Sequence, residues 1–298
     1  MISFMLKENQ PIDEKDTNKP KTKKKTKFRI WKLFLFIIIV LIIWWYNNFT
    51  IKINTEKIKS SKVAGNIRIA VLSDYHAVKY GISPEKIIHQ IKKADPDLVF
   101  FLGDMYTEDS NWDEIQIAVD LMSGTVKEGY SSYFVAGEHD RSEKYYAKLA
   151  ESGVHVMNYQ YEVINVNGTN LGIFGIDNAY FSPTFDLSNA FIIDESNYNI
   201  LLAHIPMYEH YEKFGADLTL CGDTHGGIIQ LPFGRGPAYY QGNWFPEIKG
   251  QKEDVYDKGL FNMKNGFMYI TSGIGNSPFP ARFNNRPEIA VIDIVPSH

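Results

Sequence analysis

Apolar positions fall along this chain in three patterns. The first is continuous: residues 33–46, LFLFIIIVLIIWWY, carry no charge. Such a run is short beside the roughly 20 residues of a membrane span, but Trp31, a snorkelling Lys32 and the polar positions 47–50 extend it to about 18. Lys19, Lys21, Lys23, Lys24, Lys25, Lys27, Arg29 and Lys32 lie directly upstream. Positive charge before an apolar run places that side in the cytoplasm and the following chain outside. No A-x-A-like cleavage pattern follows promptly, so an uncleaved anchor over 29–47 is preferred to a cleaved signal peptide or a buried core helix. Residues 1–28, polar and Lys-rich, read as a cytoplasmic tail. The expected location is the cell membrane, single-pass, with the domain of residues 48–298 outside.

The second pattern is short and dense. Apolar, β-rich runs at 67–72, 98–102, 133–136, 200–203, 218–221, 267–271 and 289–294 predict buried strands. The third has a helical period: 84–94, with Ile87, Ile88 and Ile91 on one face, then 112–122 and 143–150. Strand, loop and helix in alternation predict an α/β fold with a layered sheet. Runs at 161–166 and 171–174 flank Asn167-Gly168, the usual type I′ hairpin turn, so part of the sheet is antiparallel. Residues 233–265 show little periodicity but hold Tyr239, Tyr240, Trp244 and Phe245. That segment reads as a large ordered loop or small lobe, which either grips a substrate or packs upon itself.

Composition narrows the function. At 298 residues, 44% hydrophobic and 22% charged, the chain must fold around a substantial core. Its net charge of −4 hides an asymmetry: the first 50 residues carry ten Lys or Arg against four Asp or Glu, the rest 21 against 31. An acidic outer domain argues against nucleic acid as a partner. Cys221 is the single cysteine, which excludes an internal disulfide and a cysteine-built zinc site.

The chemistry-bearing residues stand where predicted strands end. Asp74-Tyr75-His76 follows IRIAVLS, Gly103-Asp104 follows LVFFL, and Gly137-Glu138-His139-Asp140 follows YFVA. His204 follows ILLA, and Gly222-Asp223-Thr224-His225-Gly226-Gly227 follows LTLC. Carboxyl ends of strands are where open α/β sheets hold ligands. Five strand ends can thus deliver Asp, Glu and His to one crevice.

This array resembles the calcineurin-like metallophosphoesterase superfamily, whose pattern runs D-x-H, G-D, G-N-H-[DE], H and G-H-x-H. Beyond residue 227, Gly226-Gly227-Ile228-Ile229-Gln230-Leu231-Pro232, Ser272-Gly273-Ile274-Gly275 and Arg282-Phe283-Asn284-Asn285-Arg286-Pro287-Glu288 look like its membrane-associated phosphodiesterase branch. The resemblance implies a layered metallophosphoesterase fold, mixed β-sheets flanked by helices, after one N-terminal transmembrane helix. It implies two divalent metal ions, the first held by Asp74, His76, Asp104 and His225, with Asp104 bridging to a second that His204 also holds. His139 would be an acid or transition-state stabiliser beyond the ligands, its ring oriented by Asp140. Taken singly, Asp74 and Asp104 are also ordinary helix caps and His204 an ordinary core histidine; five motifs in order are what separate the readings. His89, His155 and His210 have no second ligand nearby in sequence and read as ordinary.

Two positions depart from that pattern. Glu138 stands for the Asn of G-N-H and Asp223 for the first His of G-H-x-H, and both family residues bind the second metal. The replacements bind through oxygen and suit Mn²⁺ or Mg²⁺ over softer ions, with Fe²⁺ or Zn²⁺ as alternatives. With two divalent ions, Asp74 and Asp104 alone leave the site at +2, and Glu138 with Asp223 bring it to neutral. The expected activity is hydrolysis of phosphate esters, monoester or diester, on an envelope or lipid-linked substrate. The alternative is a non-catalytic metal- or phosphate-binding envelope protein. Arg282 and Arg286 are read as structural partners of Glu288 in preference to phosphate clamps.

Overall fold

The computed structural model describes residues 23–177, 186–250, 255–276 and 280–297, with side chains from residue 29 onward. Most of the expected cytoplasmic tail, and four residues of the aromatic segment, lie outside the described residues. The chain divides into two compact units, Met1–Ile43 and Trp44–His298. In the first, helix α1 (Lys23–Phe49) begins, and its stretch Arg29–Phe49 is long and apolar enough to cross a membrane. Its side chains from Leu33 to Ile37 are exposed.

The last turns of α1 belong to the second unit and are tied into it. Trp44 Nε1 donates to the Pro280 carbonyl at 2.7 Å. Asn48, fully buried, donates to Arg282 O at 3.1 Å and accepts from Arg282 N at 2.9 Å. Strand β1 (Lys52–Ser60) follows, then β2 (Ile67–Leu72), α2 (Pro84–Ala94), β3 (Leu98–Phe101), α3 (Trp112–Lys127), β4 (Ser131–Phe134), α4 (Glu143–Glu151) and β5 (His155–Val156). The second half runs β6 (Gln160–Val166), β7 (Thr169–Gly175), β8 (Tyr198–Leu202), α5 (Tyr208–Phe214), β9 (Leu218–Cys221), β10 (Tyr239–Tyr240), β11 (Asn243–Trp244), β12 (Gly259–Asn262), β13 (Phe267–Ile270) and β14 (Glu288–Pro296).

Two six-stranded sheets form, ordered β1-β14-β2-β3-β4-β5 and β12-β13-β9-β8-β7-β6. In the first, β2, β3, β4 and β5 are parallel and β14 runs antiparallel to β2. In the second, β7, β8, β9 and β13 are parallel, and β6 and β12 close the edges antiparallel. The β6–β7 hairpin turns at Asn167 (φ 50°) and Gly168 (φ 81°), as the Asn-Gly pair predicts.

Side-chain alternation explains the layering. Ile67, Ile69 and Val71 of β2, Leu98 and Phe100 of β3, and Tyr133 of β4 share one core with Leu171, Ile173, Ile200, Leu202, Leu218 and Leu220 of the other sheet. The intervening Ala70, Leu72, Val99, Phe101 and Phe134 face the other way, onto Ile87, Ile91, Ala118, Met122, Tyr145 and Leu149 of α2, α3 and α4. Phe174, Leu201, Cys221, Met268 and Ile270 pack on Tyr211 and Phe214 of α5. The result is helices, sheet, sheet and helix in layers, so strands buried on both faces read as continuous apolar runs.

Candidate metal centre

Parallel pairing puts the carboxyl ends of β2, β3 and β4 on one edge, and those of β8 and β9 on one edge of the other sheet. The backbone ladder continues past the strands into the loops that carry the acids and histidines. Asp74 N donates to Gly103 O at 2.9 Å, His76 N to Asp104 O at 3.0 Å, and Gly222 N to His204 O at 2.8 Å. Asp74, His76, Asp104, Asp223 and His225 all adopt left-handed φ, between 43° and 70°. For residues with a Cβ this is costly, and it persists where surrounding structure fixes it, commonly at functional sites. Glycine is required where the β3 and β4 loops touch: a Cβ on Gly137 would stand 2.2 Å from Asp104 Oδ1.

Three groups of side chains converge closely enough to hold a cation: Asp74, His76 and His225; His76, Asp104 and His139; and Asp74, Asp104 and His204. Asp104 joins two of them. Its Oδ2 lies 3.8 Å from His76 Nε2, 3.7 Å from His139 Nε2 and 3.2 Å from His204 Nε2. His225 Nε2 stands 3.5 Å from Asp74 Oδ1. His204 Nδ1, 2.6 Å from the Leu102 carbonyl, donates there and turns Nε2 inward, where that buried nitrogen has no hydrogen-bond partner.

Protonation fits a cation in this cluster. Burial pushes His76 down to about 4, helped by His225, and pushes His225 down to about 3, helped by Arg282. Both imidazoles are neutral, as ligands must be. Burial pulls Asp104 upward, but His204 and the His139 N–H outweigh it and hold Asp104 at about 2. His204 is the mirror image: burial works against its charge, but Asp104, Asp74 and Asp223 push it up to about 10. Asp74 is raised by burial, and Asp104 adds to that. In the metal-free cluster a proton on His204 Nε2 is held by Asp104, and that inward-turned nitrogen with the converging carboxylates would fit a divalent ion in its place.

Glu138 and Asp223 lie farther out. Asp223 Oδ1 is 3.9 Å from His204 Nε2, and its N–H donates to both Asp74 oxygens at 3.1 Å. Burial raises Asp223 to about 6 despite His204, with Asp74 and Glu138 adding to the rise. Glu138 is half exposed, with Oε1 4.0 Å from His139 Nε2. Neither belongs to the three close groups.

The structure corrects the role expected of Asp140. Its carboxylate accepts from Met105 N at 3.1 Å and from Gly137 N at 3.0 Å, so it clamps the β3 and β4 loops together. The His139 ring is positioned instead by Glu108, whose N–H donates to Nδ1 at 3.2 Å. Asp140 is fully buried, and burial with Asp104 raises it to about 7. The expected pairing of Glu288 also differs: it accepts from Tyr269 Oη at 2.7 Å and Ser272 Oγ at 3.0 Å. Arg286 is structural, but its partners are Thr50 Oγ1, Ile51 O and the Tyr46 ring. Arg282 is buried, with Nε donating to Gly275 O at 2.9 Å and both terminal nitrogens without a hydrogen-bond partner among the described residues.

Sequence reasoning did not single out Ser73, whose hydroxyl donates to Asp74 Oδ2, or Thr107, 3.4 Å from His76 Nδ1. The Ser directly before D-x-H was an available signal. Thr107 had none.

Comparison with known proteins agrees with this geometry. Residues 67–227 match the model of the calcineurin-like phosphoesterase family. The uncharacterized metallophosphoesterase YkuE of Bacillus subtilis is 25% identical over 256 residues, 82% of this chain and 85% of that protein. The phosphodiesterase YaeI of Escherichia coli is 25% identical over 243 residues, 78% of this chain and 83% of that one. Among solved structures, the NAD nucleotidase of Haemophilus influenzae aligns at 17% identity with a TM-score of 0.43, over 70% of this chain and 45% of that chain.

Proposed function

The chain belongs to the calcineurin-like phosphoesterase family, and from that membership we propose that it is a two-metal hydrolase of phosphate esters, held at the outer face of the membrane by residues 29–47. The carrying observation is the shared position of Asp104, whose Oδ2 lies 3.8 Å from His76 Nε2 and 3.2 Å from His204 Nε2. In this reading Asp74, His76, Asp104 and His225 hold the first ion, and Asp104, Glu138, His204 and Asp223 the second, with manganese preferred. Two such ions activate a water and clamp the phosphoryl oxygens.

The remaining work falls to the chain itself. His139, its side chain about a quarter exposed, is held through Glu108 N and through its own backbone N–H to Asp104 Oδ1 at 3.0 Å. With Nδ1 accepting from Glu108 N, the ring proton stands on Nε2, which is left to donate a hydrogen bond to a phosphoryl or departing oxygen and stabilise its charge. Asp140 keeps the His139 loop in register with Asp104. The name of the Escherichia coli relative, phosphodiesterase YaeI, supports a diester, and the proposed anchor supports an envelope or lipid-linked substrate.

Purified full chain loaded with Mn²⁺ should hydrolyse bis(p-nitrophenyl) phosphate, and Asp104→Ala should lose both turnover and metal. Glu138, outside the close groups, is what favours the second reading, a non-catalytic envelope protein of this fold. Full metal loading without turnover on aryl monoesters or diesters selects it.

A further inference from the structure

An apolar cavity of about 390 Å³ borders the metal centre, within the roughly 300–1,000 Å³ of small-molecule sites. Phe49, Tyr75, Val78, Ile82, Ile274 and Pro280 wall it, and His76 and Thr107 line it too. One of the expected metal ligands is therefore a wall of the cavity.

The walls are built in. Tyr75 is buried and its hydroxyl donates to Ile82 O at 2.6 Å. Ile274 N donates to Ser73 O at 3.0 Å and Gly275 N to Asp74 O at 2.7 Å, so the cavity and the Asp74 loop share a backbone. Phe49 closes the apolar stretch Arg29–Phe49. The cavity thus has a wall at the last residue of the helix stretch long and apolar enough to cross a membrane.

We infer that this cavity receives the hydrocarbon chain of an amphiphilic phosphate ester whose phosphate lies at the metal centre; the phosphate end of the inference rests on the hydrolase reading. A sugar phosphate or nucleotide would leave these apolar walls facing polar groups with few partners, which is unfavourable. An alkyl chain removes them from water, and each fully buried methylene tightens binding by up to about fourfold. Lipid phosphates are the class with a charged phosphate and such a chain in one molecule. They also reside where Phe49 stands in the proposed topology.

The test uses the full chain in phosphatidylcholine nanodiscs, loaded with Mn²⁺ and titrated calorimetrically with methyl, butyl and octyl phosphate. Affinity should rise at least about tenfold from methyl to octyl, a fraction of the full transfer value for seven methylenes. Val78, half exposed on the cavity wall, can be changed with little risk to folding. Val78→Asp should collapse the octyl-to-methyl ratio toward one, and Val78→Leu should keep it. Equal affinity across the series, or a ratio untouched by Val78→Asp, overturns the inference. Hydrolysis of p-nitrophenyl methyl and octyl phosphate separates the two readings. Chain-length-dependent binding without turnover keeps the cavity's role and rejects the hydrolase; turnover with equal binding does the reverse.

Discussion

His204 Nε2 and Asp104 Oδ2 stand 3.2 Å apart with both side chains out of solvent, each setting the other's charge. Asp104 holds His204 protonated well above the usual imidazole range, and His204 holds Asp104 ionised. A buried pair of this kind is costly to break from one side, because the survivor is left unpaired. His204→Ala should therefore lower the stability of the chelated protein by roughly 3–5 kcal/mol. Denaturant titration measures it, and Asp104→Ala with His204→Ala together should cost less than the sum of the two.

That pair also sets a pH dependence for the metal-free protein. His204, raised to about 10, contributes stability that is complete below pH 6.5 and is lost as pH rises through about 10. Asp140, raised to about 7, acts with the same sign, its contribution lost as pH rises through 7. His76 and His225, lowered to about 4 and about 3, stay neutral in the folded chain; in the unfolded chain they lose their protons around pH 6.5, which opposes the trend until about a unit above that and adds no slope beyond it. With EDTA present, stability should fall between pH 7.5 and 9 by about 1.4 kcal/mol per pH unit, for the proton that His204 retains only in the folded state. For a domain of this size that is about 3–6 °C in Tm per unit. Mn²⁺ should flatten or reverse the trend, since metal binding displaces those protons. A chelated protein whose Tm rises over this range would contradict the His204 assignment.

The strands were legible because both faces of each central strand are buried, so 67–72 and 218–221 read as strands and are strands with those bounds. β1 was not legible. KINTEKIKS alternates charge with little apolar content, and only Ile58 is buried; nine parallel pairs with β14 make it a strand. Helix α5 escaped for a related reason, being seven residues long with no side-chain cap at Met207. In the site, the acids and histidines were visible as motifs because each stands at a strand end. The work of Asp140 was not, because its partners Met105 and Gly137 come from two loops whose contact no local pattern encodes.

Asn48 shows what such distant contacts contribute. Its amide satisfies both the N–H and the C=O of Arg282, 234 residues away in sequence, and it is fully buried. Asn48→Ala leaves two buried backbone groups unpaired, at a cost of about 2–4 kcal/mol. Domains begun at residue 44 should be more stable than domains begun at residue 50. Equal thermal midpoints would show that the end of α1 is dispensable to the fold.

His139 tests the charge-stabilising reading. His139→Ala should lower kcat about 10²- to 10³-fold, the range for a lost donor to a developing oxyanion. Because the ring also lies 3.7 Å from Asp104 Oδ2, metal content must be measured with it. Intact metal with lost turnover supports the stabilising role. Lost metal makes His139 a ligand, which its membership of a close group with His76 and Asp104 allows.

The last prediction concerns Glu138 and Asp223, the two carboxylates that replace family residues. Asp223 is already 3.9 Å from His204 Nε2, whereas Glu138 is half exposed beside His139. If both are ligands of the second ion, Asp223→Ala should weaken that ion's binding roughly 10-fold or more, and Glu138→Ala should cost less, because Glu138 must leave solvent to bind. Glu138→Asn with Asp223→His removes two negative charges and restores nitrogen to the set, which shifts preference from manganese toward zinc. The single reversions should behave worse than the pair, since both act on one ion and their effects do not add. Metal stoichiometry by elemental analysis, beside turnover with each ion, decides the matter. Full metal content and full activity in both alanine variants would remove Glu138 and Asp223 from the ligand set and leave the second ion to Asp104 and His204.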